Sequence, residues 1–447
     1  MLLQRDHEKT VSQVRGSQQI VAARPGSASG TSNGVPSAES WKRSQVINAA
    51  RGRLMVRSFS SADFGTGAAA PSAAQLMATN ALLDRIRAVV EETAQKMVAS
   101  ASQRDPAATV AFQKLKSENT AIIADAERVW QFYWEILSQR QTFVAPMLLA
   151  ADRVALDCYQ WIWQGLGKAR SVPTPPPFTF LESGIGPATY RRGVTMARIG
   201  RMPNPFPLIK LPYHRMATPW TLGALPHEIG HNLQFDLGLW LAVPRALVMR
   251  FTQQGLPRQV RLVWARWCKE IWADLIGVLL IGPSYIGSLM DVVGRSVPET
   301  MAFSPRGVHP IPWLRVLINL ELLQKMGFEQ EALAYRRAWL SLYPPSSARQ
   351  IPGFLRESFA RAVRLCVDTV AFTPYPQLGG KTLHQVIAFR PQDQQVVIEA
   401  ARRLGTGTDP GIIPERFLIA AARIAFDRSY ATPSRITQNF YMALGRR

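Results

Sequence analysis

The segment LPHEIGHNL at residues 225–233 contains HEIGH, an HExxH pattern, at positions 227–231. On a helix, two residues four positions apart project from the same face, so the imidazoles of His227 and His231 can bind one metal ion. Glu228 then points to the open side of that ion and can accept a proton from the water that the metal activates. This layout is typical of zinc hydrolases. The alternative is a chance pair of core histidines on an amphipathic helix.

A catalytic zinc ion usually has three protein ligands and one water, so a further ligand has to come from another part of the chain. The extended pattern HExxHxxGxx(H/D) is absent, because Gln234 and Leu237 occupy its glycine and ligand positions and Asp236 is one residue out of phase. A glutamate followed four residues later by an aspartate is present in EIWAD at 270–274. Glu270 is therefore the predicted third ligand.

The EIWAD segment lies on a predicted long helix from about Arg258 to Ile281. Positions 263, 267, 270, 274, 277 and 281 share one face of this helix, and apart from the two carboxylates they are Val, Trp, Gly and Ile. Carboxylates on so apolar a face are costly to bury unless they are paired or bind a metal. Asp274 is accordingly predicted to accept a hydrogen bond from a ligating histidine and fix its tautomer. The alternative is a buried structural salt bridge.

Three blocks resemble, in the same order, the HExxH, ExxAD and HPxxxxR blocks of the gluzincin metallopeptidases related to the HtpX-type and CAAX-prenyl endopeptidases. They are HEIGH at 227–231, EIWAD at 270–274 and HPIPWLR at 309–315. Together they cover roughly residues 205–320. The resemblance implies a zincin fold, a Zn²⁺ cofactor and hydrolysis of bonds in a peptide or protein substrate.

The third block adds His309 and Arg315 to the predicted site. Peptide hydrolysis builds negative charge on the carbonyl oxygen, and a positioned donor stabilises this charge by about 2.7–4 kcal/mol. His309 is the candidate donor, in a loop that Pro310 and Pro312 stiffen. Arg315 is expected in the first turn of a helix, where it can fix the loop through a carboxylate. The alternative is that both residues only begin and cap this helix.

The sequence contains neither a predicted membrane-spanning segment nor a nucleic-acid-binding motif. A spanning helix needs about 18 to 20 apolar residues without charges, whereas the apolar run after Trp272 contains Asp274 and ends at Gly282. No transmembrane segment is therefore predicted, unlike in the largely membrane-embedded relatives. The net charge of +21 by itself favours acidic partners, nucleic acid or an anionic membrane surface. The basic residues are dispersed and form no RNA-recognition or zinc-finger signature, which makes nucleic acid an improbable partner.

The cysteines and the N-terminal composition bear on the cellular location. Cys158, Cys268 and Cys366 are too few and too scattered for a disulfide framework or a cysteine metal site. A reducing compartment fits them best, and the expected location is the cytoplasm. Residues 42–61 are rich in Arg and Ser and poor in acids, as mitochondrial transit peptides are, so the mitochondrial matrix is the alternative. The sequence does not indicate an oligomeric state.

Composition and periodicity divide the chain into four parts. Residues 1–70 are predicted to be poorly ordered, 71–170 to be helical, 171–300 to form a zincin-like core, and 301–447 to form a helical C-terminal domain that contributes to the site. The clearest boundary is the stiff proline-rich segment 172–177. The predicted fold class is α+β, mostly helical, with a small sheet.

Two segments before the HEIGH helix are predicted to be strands. Residues 189–199 and 207–212 favour β structure and are bounded by Gly or Pro. In zincins, extended substrate adds to the edge of the sheet through backbone hydrogen bonds. Leu208–Leu211 is the candidate edge strand because it is the closer of the two to the helix along the chain.

The HEIGH helix has two candidate starts. Thr218-Pro219 has the residue types of an N-cap and first helical position, and Pro226 is the alternative. Gly238 is expected at the helix exit, where glycine adopts the left-handed conformation without strain.

The function predicted from these features is that of a zinc metallopeptidase. The competing hypothesis is a non-catalytic protein with a zinc site and a basic surface that binds a partner. An open fourth coordination position distinguishes the two, because structural zinc sites are closed by four protein ligands.

Overall fold

The computed structural model describes residues 37–167, 172–197 and 202–447. It is mostly helical with a small sheet, which confirms the predicted fold class. The α-helices are α1 Ala38–Gly52, α2 Ala73–Ala101, α3 Pro106–Ser138, α4 Ala145–Leu166, α5 Tyr213–Met216, α6 Ala224–Asp236, α7 Ala242–Gln253, α8 Arg258–Ile281, α9 Ser284–Val293, α10 Val297–Met301, α11 Pro312–Lys325, α12 Glu329–Leu342, α13 Gly353–Val367, α14 Leu383–Val386, α15 Pro391–Thr406, α16 Phe417–Asp427 and α17 Pro433–Gly445. The strands are β1 Phe178–Leu181, β2 Ala188–Tyr190, β3 Thr195–Met196, β4 Met202–Pro203 and β5 Leu208–Leu211.

The three-stranded sheet has the order β1–β5–β2. β5 is parallel to β1, with Phe178 opposite Leu208, and antiparallel to β2, with Thr189 opposite Ile209. The prediction that Leu208–Leu211 is an edge strand is therefore wrong, and β2 lies at the edge beside β5. Order along the chain does not determine order in a sheet. The physical signal is burial, because nearly all of β5 is buried whereas β2 is half-buried throughout.

The predicted strand over 189–199 is interrupted. Gly193 has φ +72° and makes a turn between β2 and β3, and β3 pairs with β4 in a separate two-stranded ribbon. Positive φ is a conformation that glycine adopts readily, so this residue breaks the strand.

The range predicted to be poorly ordered contains α1 and the short 3-10 helices Arg53–Met55 and Ser61–Phe64. Its residues 1–36 lie outside the described residues. The helical hairpin of α2 and α3 follows and shares an apolar core with β1 and β5, in which Phe178 and Leu208 are buried.

The HEIGH helix, α6, begins at Ala224, so both predicted starts are wrong. Pro219–Thr221 forms a separate 3-10 turn, and Pro226 lies in the first turn of α6, where a backbone amide has no intrahelical partner to lose. The helix ends at Asp236, and Gly238 follows with φ +73°, as predicted. The prediction for α8 is confirmed, because this helix spans Arg258–Ile281.

The largest apolar core is continuous across two of the predicted domain borders. It contains buried residues from Val144, before α4, to Leu444, in α17, and it includes the apolar faces of α6, α8 and α11. The borders near 170 and 300 thus do not separate apolar cores. The helices that carry the site described below therefore pack into one apolar core. Within the described residues, no helix is long and apolar enough to cross a membrane.

Candidate metal centre

The centre lies where α6 packs against α8. The Nε2 atoms of His227 and His231 lie 3.5 and 3.4 Å from the two carboxylate oxygens of Glu270. One ligand atom from each of these residues lies within 4.8 Å of the others, so the group could hold a metal ion. The structure thus brings the three predicted ligands together.

The close approach of α6 to α8 depends on a residue without a side chain. A Cβ atom at Gly230 would lie 2.9 Å from the Cα of Ala273, closer than carbon atoms pack. Trp272 donates a hydrogen bond from Nε1 to the carbonyl oxygen of Gly230 at 2.9 Å, which fixes the two helices in register. The small residue at the second variable position of HEIGH, Gly230, therefore has a packing role.

Glu270 provides the observation that suits a cation. Its side chain is 13% exposed, and its Oε2 atom is buried without a hydrogen bond. Nitrogen atoms of His227, His309 and Arg315 surround that oxygen at 3.5, 3.2 and 3.9 Å without hydrogen-bonding geometry. A buried carboxylate oxygen is costly unless it is hydrogen-bonded or coordinates a metal. Two imidazole nitrogens and one carboxylate oxygen form a donor set that Zn²⁺ accepts.

Asp274 is fully buried and has three partners behind the ligands. Its Oδ1 accepts a hydrogen bond from the Tyr285 hydroxyl at 2.7 Å and lies 2.9 Å from His227 Nδ1. Arg315 donates from Nε to Oδ2 at 2.5 Å and from a terminal nitrogen to Oδ1 at 2.8 Å. A proton on His227 Nδ1 therefore faces Asp274, which leaves the Nε2 lone pair directed toward Glu270 and the centre.

The charges of this network perturb the pKa values of its members. Burial raises the pKa of Asp274, but the Arg315 guanidinium and His227 outweigh it and hold the pKa well below its usual range. Burial lowers the pKa of His227, but its contacts with Asp274 and Glu270 outweigh burial and raise the pKa to about 9. Without a metal ion these carboxylates favour the protonated form of His227, and a metal ion would take the place of the proton on Nε2.

Glu228 has the environment of a proton acceptor. Its side chain lies beside the ligands on α6 and is buried. Burial raises the pKa of Glu228, and the neighbouring histidines His227 and His231 oppose this shift. A raised carboxyl pKa brings the group closer to neutral pH, where a general base works best.

The HPIPWLR block reaches the centre through both of its predicted residues. Arg315 lies in the first turn of α11, as predicted, and its contacts with Asp274 join α11 to α8. His309 lies in the preceding loop with its side chain 62% exposed and its Nε2 3.2 Å from Glu270 Oε2. The loop thus presents one histidine at the solvent side of the centre.

A cavity of about 170 Å³ opens beside the ligands. Its polar wall includes Glu228, His309 and Arg315. The rest of its lining is mostly small or apolar: Gly186, Pro187, Gly223, Ala224, Tyr285, Ser288, Leu289 and Val292. The cavity therefore combines a compact apolar space with the proton-handling side of the centre.

Sequence reasoning missed two groups at the site. Tyr285 lies in α9, and its ring fills the space beside Gly277, where a Cβ atom would meet Tyr285 Cε2 at 2.2 Å. Asn232 follows the second ligand and donates to Thr189 Oγ1 of β2 at 2.7 Å, which ties the edge strand to α6. Gly277, one turn after Asp274, could have indicated a large neighbouring side chain. No sequence pattern indicates the contact between Asn232 and Thr189.

The rejected ligand candidate lies elsewhere. Asp236, at the end of α6, accepts a hydrogen bond from the Tyr159 hydroxyl at 3.0 Å and does not belong to the metal-binding group. Its role in the described structure is to join α6 to α4.

Comparisons with protein-family models, with curated proteins and with solved structures gave no match. The function proposed below is therefore inferred from the geometry of the centre and from the three sequence blocks.

Proposed function

We propose that this protein is a zinc-dependent metallopeptidase. The observation that carries the proposal is the convergence of His227, His231 and Glu270 on one point, with a buried carboxylate oxygen left without a hydrogen bond and Glu228 beside it. The same histidine pair on a core helix without such an oxygen would be an ordinary packing feature.

The ligand chemistry favours zinc. His227, His231 and Glu270 would hold the ion through two nitrogen atoms and one oxygen atom, as three-ligand catalytic zinc sites do. When bound, Zn²⁺ supplies Lewis acidity toward a carbonyl oxygen and lowers the pKa of a coordinated water. Asp274 keeps the Nδ1 proton of His227 in place, so that Nε2 remains available as a ligand.

The remaining polar groups have roles in moving protons and stabilising charge. Glu228 accepts a proton from the attacking water and then donates it to the leaving amine, because it lies beside the ligands and faces the cavity. His309 lies at the exposed side of the same cavity and donates a hydrogen bond to the substrate carbonyl oxygen as negative charge develops. Arg315 acts on Asp274 and positions the loop of His309.

The peptide is proposed to bind along β2. This strand is at an edge of its sheet, and Asn232 ties it to the metal-binding helix. An extended substrate can add to such an edge through backbone hydrogen bonds, which tolerate many sequences. The cavity then accommodates one small or medium apolar side chain next to the cleaved bond.

The second candidate function is a non-catalytic zinc protein with a basic partner-binding surface. One contact favours it, because His309 Nε2 lies 3.2 Å from Glu270 and a small loop movement would make it a fourth ligand. A site closed in this way has no position for water and is structural.

The test compares metal content with cleavage of a peptide library. The purified zinc-loaded protein is expected to carry about one Zn²⁺ per chain and to cleave peptides. Glu228→Gln should retain the metal and lose about 10²- to 10⁴-fold in kcat, because the general base is removed. Glu118→Gln, an exposed change on α3, is the control. Wild-type turnover in Glu228→Gln would refute the proposal, and a zinc-loaded protein that cleaves no peptide would favour the structural alternative.

A further inference from the structure

The edge strand β2 runs away from the cavity in a direction that the sequence did not reveal. At one end, Gly186 and Pro187 line the cavity together with Gly223 and Ala224, at the start of α6. Further along, Thr189 accepts the hydrogen bond from Asn232, in the second half of α6. At the far end, the guanidinium of Arg191 lies 4.9 Å from the ring centre of Phe235. β2 and α6 therefore run side by side in the same direction.

Two cations contact one aromatic ring near the end of β2 that lies away from the cavity. The Cζ atom of Arg191 lies 3.5 Å from the ring centre of Trp240, and the Nζ atom of Lys269 lies 3.7 Å from the same centre. Trp240 holds both side chains through cation–π contacts. We call Arg191 and Lys269 the cation pair.

The cation pair has no anion bound to it within the described part of the chain. Neither residue has a carboxylate oxygen within 4.0 Å of its nitrogen atoms there. The carboxylate of Asp236 accepts a hydrogen bond from Tyr159 and attracts Arg191 only at longer range, where its charge partly offsets the lowering of the Arg191 pKa by burial. By contrast, Arg192 next to it donates to the backbone carbonyls of Thr174 and Pro175 and has a structural role. Cations this close to one ring centre lie on its two opposite faces, with the indole between them. An anion can approach either cation from the side away from the ring, where the positive charges of both attract it.

Two elements, β2 and α8, connect the cation pair with the proposed active site. Arg191 follows Tyr190, the last residue of β2, and Lys269 precedes the ligand Glu270 on α8. From Pro187 to Arg191 an extended strand covers ~13 Å, about four residues. A peptide that pairs with β2 therefore passes from the apolar cavity, alongside the ligand-bearing helix, to the cation pair.

We infer that the substrates are extended peptides with an acidic side chain that binds beside the cation pair, on the side of the cleaved bond opposite the apolar cavity. This inference rests on the proposed peptidase function and adds its substrate class. It also gives a role to part of the large positive charge of the chain, since a carboxylate is the complement of this pair.

The experiment uses one peptide scaffold with a single aliphatic residue and a glutamate moved through successive positions, with Gln and Lys peptides as matched partners. Cleavage is measured with the zinc-loaded wild type. Binding is measured separately by fluorescence anisotropy of labelled peptides with zinc-loaded Glu228→Gln. At one position, glutamate should improve kcat/KM and affinity by about 2- to 5-fold over glutamine, as expected for an ion pair near the surface.

Two variants of the pair test its role. Arg191→Gln combined with Lys269→Gln should abolish the preference for glutamate while the glutamine peptide is still cleaved. Lys269→Glu should shift the preference toward the lysine peptide, which loss of folding cannot produce. Lys114→Gln removes one positive charge from α3, where the side chain is 79% exposed, and should keep the wild-type preference.

The outcomes separate this inference from the proposed function. Cleavage with equal rates for the Glu, Gln and Lys peptides at every position would overturn the acidic subsite and leave the peptidase function intact. A preference for glutamate in binding without cleavage of any peptide would refute hydrolysis and retain the subsite. Displacement of the bound peptide by a single-stranded oligonucleotide, lost in the double variant, would assign the pair to nucleic acid and overturn the inference.

Discussion

Two aspartate–arginine pairs of the same chemistry, each with at least one buried partner, have different surroundings. Asp152 of α4 pairs with Arg140 at 2.9 Å, and its Oδ1 accepts hydrogen bonds from the backbone nitrogen and hydroxyl of Thr179 in β1. Asp274 of α8 pairs with Arg315, but it also faces His227. The first network ends within the scaffold. The second ends on an imidazole whose other nitrogen is directed into the metal centre.

The two aspartates also differ in the direction of their pKa shifts. Burial raises the pKa of Asp152 despite Arg140, whereas at Asp274 the charges of Arg315 and His227 outweigh burial and lower the pKa. The comparison teaches that a buried Asp–Arg pair is not by itself a sign of function. What sets Asp274 apart is the histidine beside it, His227, which is itself a candidate metal ligand and is oriented by the carboxylate.

Breaking either pair should lower stability, but only one of the two changes should affect the metal. Arg315→Ala should lower the free energy of unfolding by about 3–5 kcal/mol, because it leaves the fully buried carboxylate of Asp274 without its cation. Arg140→Ala should lower it by less, because the side chain of Asp152 is 25% exposed. Only Arg315→Ala should weaken zinc binding. Urea unfolding of the metal-free proteins and zinc competition with a chelator measure the two quantities. A loss of zinc affinity in folded Arg140→Ala would contradict the distinction.

Glu270→Ala tests the ligand on which the second network converges. It removes the single carboxylate ligand, so zinc affinity should fall by more than about 100-fold, the upper range for changes behind a ligand. Asp236→Ala is the matched control on α6, since Asp236 contacts Tyr159 outside the centre. Equal zinc loss in both variants would mean that the third ligand is misassigned.

His309→Ala separates a catalytic histidine from a structural fourth ligand. If His309 donates to the substrate oxygen, kcat should fall by on the order of 10²-fold with zinc content and thermal stability unchanged. If it closes the site, zinc affinity falls instead. An unchanged kcat, or a loss that follows unfolding, would return His309 to the loop scaffold.

Asp274→Asn is the mildest change to the second network. It keeps the size of the side chain but removes the charge that faces His227, and zinc affinity should fall by about 10- to 100-fold. Asp152→Asn is the corresponding change in the first network and should leave zinc affinity as it is. Isothermal titration of both variants gives the comparison.

The parts of the site that the sequence predicted depend on local periodicity. The helix Arg258–Ile281 and the shared face of Glu270 and Asp274 follow from 3.6-residue spacing, and the exit of α6 at Gly238 follows from the backbone freedom of glycine. These features depend on residues that are close together in the chain, so they can be predicted from a single sequence.

The parts that the sequence did not predict depend on residues that are far apart in the chain. The central position of β5 depends on its pairing with β1 and β2, and the contact between Trp240 and the cation pair joins three separate elements. Tyr285 reaches Asp274 because Gly277 leaves space for its ring. Without several related sequences, no local pattern connects such residues.

The half-buried edge strand β2 is only three residues long, Ala188–Tyr190. A chain segment that pairs with it has to be extended and stripped of its own secondary structure over that length and a few residues on each side. A folded substrate protein would therefore be cut only when that segment opens locally. The rate of cleavage would then depend on the opening equilibrium of the substrate as well as on its sequence, so damaged or partly unfolded proteins would be cleaved before intact ones.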